Sequence, residues 1–117
     1  MSEERFQSLV NQYPEYAQIF REVLRWFTTH PKQQEVSLEF FYTNKYSFKK
    51  EDLNVAFFIL NKKDVVKKTY VVIDESGTKV GRNFEKMDDI PDELDTMMGD
   101  KKETKDLFVV PYYSLRT

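Results

Sequence analysis

The stretch "SFKKEDLNVAFFILNKKDVVKKTYVVIDESGTKVG", residues 47–81, decides the fold. It reads as a helix, a tight turn and a two-stranded hairpin. Ser47 stands where it can cap a helix running from Phe48 to about Lys62, with Leu53, Ala56, Phe57 and Leu60 on one face. After "NKKD" the period changes. "VVKKTYVVID" is a run of β-branched and aromatic residues of the kind strands favour. "DESG" is a turn with Gly77 at the position where a positive φ is expected, and "TKVGRNFEK" returns as the second strand.

This helix is apolar on two sides. At about 100° per residue, Val55, Phe58 and Ile59, together with Phe48, fall roughly opposite the first face. Side chains of this size each gain roughly 1.5–3 kcal/mol on burial. Something is therefore expected to cover them: the chain's own helices or C-terminal strand, or a partner protein or second copy.

On the N-terminal side, "SEERFQSLVNQY" can form a short helix, with Ser2 as its cap and Phe6, Leu9 and Val10 on one face. Pro14 breaks it and suits the first turn of the next helix, "PEYAQIFREVLRWFTTH". There Tyr16, Ile19, Phe20, Val23, Leu24 and Phe27 form a stripe at helical spacing, and Pro31 closes it. Ser37 can cap a short helix through Leu38, Phe40 and Phe41, although "VSLEFFY" also has the composition of a strand. "TNKYS" is a turn. On the C-terminal side, residues 87–106 read as a short helical turn and an exposed acidic loop. "LFVVPYYSLR" reads as a last strand, with Pro111 arguing for a sheet edge. An α+β chain forming a single domain over residues 1–117 is expected, with N-terminal helices, a hairpin over about 65–86 and a C-terminal strand.

At "EDLNVAFFILNKKDVVKKTYVVIDESGTKVG" the pattern resembles a winged helix. The matching positions are Leu53, Ala56 and Leu60 on the helix, then Val65, Val66, Tyr70 and Val72 entering the wing. The "ESGTKVG" turn and "FEKMDDIPDEL" look like the wings of small prokaryotic accessory proteins, some of which accompany ATPases or effectors in bacterial conflict (antiviral defence) systems. The resemblance covers roughly residues 15–94. That fold serves both DNA binding and protein–protein contacts, so it leaves function open.

Composition excludes several chemistries. The chain has no cysteine, which rules out disulfides, iron–sulfur clusters and thiol catalysis. His30 is its sole histidine and sits at a helix end beside Pro31, a capping position. Asp88, Asp89, Asp92, Glu93 and Asp95 lack the spacing of a calcium loop, and "GTKVG" precedes no helix, so no phosphate cradle is formed. No enzyme, cofactor or metal is expected. The longest apolar run, Val55–Leu60, is too short for a membrane span, and the acidic N-terminus does not suit a signal peptide. A cytoplasmic protein is expected.

Two interaction readings remain, with a third behind them. As a protein-interaction module, an accessory subunit, the chain would use Phe48, Val55, Phe58, Ile59, Trp26, Tyr112 and Tyr113. As a DNA-binding regulator it would set Lys49, Lys50, Lys62, Lys63, Lys67, Lys68, Lys79 and Arg82 against phosphates, with Asn54 reading bases. Lysines at helix ends and strand edges also have a purely structural use. Charge weighs against DNA: residues 44–86 hold ten basic and six acidic side chains, but residues 87–106 hold three basic and eight acidic, and the whole chain is −2. The third reading is an inhibitor of phage or plasmid origin whose acidic segment, residues 88–106, mimics nucleic acid.

Overall fold

The computed structural model describes residues 3–33, 35–43, 46–96 and 98–116. Ser2, read above as a cap, and Asn44 and Lys45 of the expected turn lie outside the described residues. The fold is α+β, with N-terminal helices followed by strands, as expected. Helix α1 (Glu3–Gln12) gives way to a 3-10 turn, Pro14–Tyr16, and then to α2 (Ala17–Thr29). Pro14 lacks the N–H that α1 would need to continue, and it opens the turn instead. His30 closes α2, its backbone N–H bonding the Trp26 carbonyl at 3.0 Å. Both readings of "VSLEFFY" are realised in succession: β1 is Val36–Ser37 and α3 is Leu38–Thr43.

Helix α4 spans Lys50–Lys62, two residues shorter at its start than expected. Its N-cap is Lys49, in extended backbone and without a side-chain cap, so Ser47 does not fill that role. The reason lies in Phe48, which packs against the core with its ring stacked 6.0 Å from Tyr46. That contact holds the chain out of helical conformation. The other end is well defined. Asp64 adopts φ 58°, the Val65 N–H bonds the Leu60 carbonyl at 2.9 Å, and the Asp64 N–H bonds the Asn61 carbonyl at 3.1 Å. This is a Schellman closure with aspartate where glycine is usual, sealed by apolar contact of buried Leu60 and Val65.

Strand β2 (Val66–Ile73) pairs antiparallel with β3 (Lys79–Phe84), the expected hairpin. Gly77 at the turn has φ 84°. The Asp74 carboxylate organises that turn, accepting from the Ser76 and Thr78 backbone N–H groups at 2.9 and 3.0 Å and from the Ser76 hydroxyl at 2.6 Å. Tyr70 faces Phe84 while Val72 faces Val80, so β3 spends extra residues between these pairs. Gly81 lies in this bulge at φ 75°, and a Cβ there would meet the Leu94 side chain at 3.4 Å.

Residues 87–106 are more ordered than the loop expected. They hold 3-10 turns at Met87–Asp89 and Thr104–Asp106 and a small antiparallel hairpin of β4 (Glu93–Asp95) and β5 (Lys101–Glu103). The last strand, β6 (Phe108–Leu115), sits inside the larger sheet, whose order is β1-β6-β2-β3, and not at its edge. β1 is two residues long and covers little of an eight-residue strand, which leaves room for a proline without a ladder N–H.

The chain divides into two compact units, residues 1–67 with 113–117 and residues 68–112. The first has a core of helix-borne side chains in which Phe20, Val23, Phe41, Leu53, Phe57 and Leu60 are fully enclosed, joined by Val65, Val66 and Tyr113. The second centres on Val72, Val80, Phe84 and Leu94, with Tyr70, Ile90, Leu107 and Val109 packed around them.

Two predictions follow from these turns. Asp64→Gly should raise stability in denaturant titrations by roughly 0.5–1 kcal/mol, because relief of a left-handed L-residue exceeds the added chain entropy. Hydrogen bonds, the Ser76 hydroxyl foremost and the Thr78 N–H next, hold the Asp74 carboxyl below its ordinary pKa of 3.8. Its charge therefore stabilises the fold above that value, and the contribution is lost as pH falls through the lower, folded value. Asp74→Asn should melt earlier than the parent at neutral pH, with the gap in melting temperature closing below the ordinary carboxylate range.

Candidate functional site

Helix α4 sets its inward face by its own periodicity. Leu53, Ala56, Phe57 and Leu60 are fully buried, and the Phe57 ring lies 4.5 Å from Tyr113 and 5.8 Å from Phe41. The apolar residues of the opposite side were expected to be covered, and the structure divides them. Ile59 is buried and Phe48 is half-buried against the same core, whereas Val55 is 40% and Phe58 64% exposed. Glu51, Val55, Phe58 and Lys62 recur at helical spacing and form one exposed strip: acid, apolar pair, base. Exposed Asp52 and Asn54 lie beside it. Glu51 and Asp52 complement the positive end of the helix dipole from its first turn.

Other expected contact residues turn inward. Trp26 is 4% exposed, stacked on His30 at 4.9 Å, met edge-on by Phe27 and Phe41 and at a tilt by Phe40. Its flank of α2 looks polar in sequence, but the two α3 phenylalanines cover it. Tyr113 is buried on Phe57, and Tyr112 is half-buried in β6. Of the seven expected interaction residues, Val55 and Phe58 are the ones left open to solvent. In the second unit Met87, Met98 and Phe108 are also exposed.

The candidate phosphate ligands divide between the two units. Lys49, Lys50, Lys62, Lys63 and Lys67 belong to the first unit, and Lys68, Lys79 and Arg82 to the second. Three lie over rings: exposed Lys50 over Tyr42 at 5.8 Å, half-buried Lys68 over Tyr70 at 5.3 Å and exposed Arg82 over Phe84 at 4.5 Å. Lys63 and Lys67 are half-buried, and the Lys63 carbonyl accepts from the Arg5 guanidinium. The first unit carries eleven basic and nine acidic side chains, the second seven and eleven. Neither count has the large basic excess usual in a dedicated nucleic-acid binder.

One feature escaped the sequence. Half-buried Phe6 of α1, Leu24 of α2 and Leu115 of β6 line an open apolar cavity of about 280 Å³, with exposed Glu3, Arg21, Arg25 and Thr28 around it. Leu24 reads as one more residue of a core stripe, and only the meeting of three distant segments leaves it at a pocket. In the second unit Asp88, Asp89, Asp92, Glu93 and Asp95 are all exposed. Among the described residues no group of three or more His, Cys, Asp or Glu is placed to hold a metal ion, and no helix is long and apolar enough to cross a membrane.

Comparison with protein-family models, with curated proteins and with solved structures finds no significant match.

Adjacent phenylalanines on α4 should behave oppositely in chemical denaturation. Phe57→Ala should cost about 3–5 kcal/mol, as a cavity left in a close-packed core does. Phe58→Ser should shift stability by no more than about 0.5 kcal/mol.

Proposed function

We propose that this chain is a non-enzymatic protein-interaction module, an accessory subunit that docks through the exposed strip of α4. The observation that carries the reading is Phe58, 64% exposed beside Val55 on a helix whose other face is fully built into a core. An aromatic ring held at the surface by a rigid helix is the usual anchor of a protein interface, because its burial gains much and costs little ordering. The charges on either side of it, Glu51 and Asp52 before and Lys62 after, suit a polar rim that fixes orientation. A groove-reading helix would need the same strip to face bases and phosphates. Two carboxylates in its first turn and an apolar centre oppose that use, which favours the protein reading over DNA.

Two measurements test this together. Fluorescence anisotropy of a labelled mixed-sequence duplex should give no tight, salt-sensitive binding. Binding that falls steeply with salt and is lost in Lys49→Glu, Lys50→Glu would overturn the reading. A photo-crosslinking phenylalanine analogue at position 58 should, in the native host, join the chain to one defined protein, whereas the same analogue at exposed Lys79 should not.

A further inference from the structure

We propose that the partner of the α4 strip is a second copy of this chain, whose Phe58 enters the cavity lined by Phe6, Leu24 and Leu115. This rests on α4 being the docking face and adds the identity of what it docks on. Both features lie in the first unit and share no residue, so each copy carries one knob and one hole.

Size favours a side chain as the occupant. At about 280 Å³ the cavity falls just below the roughly 300–1,000 Å³ typical of small-molecule sites. It suits one aromatic ring with a neighbouring branched side chain, which is what Phe58 and Val55 present. Its lining is apolar at the base, where Phe6, Leu24 and Leu115 are already half-buried, so an entering ring meets carbon on several sides.

Charge points to the same occupant. The strip on α4 carries Glu51 and Asp52 at one end and Lys62 at the other, all exposed. The cavity is bordered by Arg21 and Arg25, and by Glu3. With Phe58 seated, the carboxylates of the strip have guanidinium groups to meet, and the lysine has a carboxylate. Arg25 already shares Glu22 at 3.1 Å but stays 61% exposed, and exposed Arg21 donates to Gln18 at 3.3 Å through one of its five N–H groups, so both keep donors for a second acid. Such exposed pairs select the partner and its orientation more than they add affinity, and salt weakens them.

Sedimentation velocity and light scattering over a wide concentration range provide the test. The expected result is a mass that rises above the 14.1 kDa monomer with concentration, and less so in high salt. The limiting mass separates a reciprocal dimer from an open chain of copies. Phe58→Ser should weaken association by roughly thirty-fold or more, the loss typical of an interface anchor. Arg21→Glu, Arg25→Glu, which alters only exposed side chains, should weaken it too. Circular dichroism verifies that both variants are folded.

Mixing decides the geometry. Phe58→Ser retains its hole and the arginine variant retains its knob, so an equimolar mixture should associate where neither does alone. A monomer at every concentration, association that survives Phe58→Ser, or a mixture no better than its components each overturns self-docking. If self-docking fails while position 58 crosslinks to one other protein in the native host, the docking face stands and only its partner is reassigned.

Discussion

Phe57 fixes which way α4 faces, and much else depends on that. Its ring is enclosed between Phe41 of α3 and Tyr113 of β6, elements far apart along the chain. Once that ring is held, a rotation of about 100° per residue leaves little freedom to its neighbours. Phe58 must point away from the core, Leu60 must point into it, and Glu51, Val55 and Lys62 fall into line with Phe58. The outward strip is thus a consequence of how the inside is packed.

The inward stripe of α4 was legible because it is a local pattern. Leu53, Ala56, Phe57 and Leu60 repeat at helical spacing and need no knowledge of what they touch. The hairpin was legible for a similar reason: its turn residues carry their own conformational demands, in the Asp74 carboxylate and in the positive φ of Gly77. Residues whose burial depends on distant segments were not. Trp26 lies on a flank of α2 bordered by polar residues, and it is covered only because Phe40 and Phe41 arrive there. Ile59 shares a side with exposed Val55 and Phe58, and periodicity cannot say where cover ends. The start of α4 was misread because Phe48 stacks on Tyr46 and lies ahead of the helix, a contact that periodicity does not report. The β4–β5 hairpin gave little signal, since five of its six residues are charged and Leu94 alone is buried.

The same division runs through the candidate site. Phe58 and Val55 could be nominated from sequence, because a second apolar side on a helix is visible at once. The cavity could not, since Phe6, Leu24 and Leu115 come from three separate elements and each has an ordinary core role nearby. Of the basic residues that suggested DNA, Lys50, Lys68 and Arg82 lie over aromatic rings, which periodicity does not show. A long cationic side chain lying across a ring keeps its charge in water while its stem shields apolar surface.

The edge of the four-stranded sheet bears on what the chain does not pair with. β3 is the outermost strand, and an outer strand offers backbone groups to any other extended chain. Here it carries exposed Lys79 and Arg82, and the bulge at Gly81 breaks its register midway. A strand laid against β3 would have to place its own ladder beside two cations and across an irregular step. Growth of the sheet by addition at β3 is thereby discouraged.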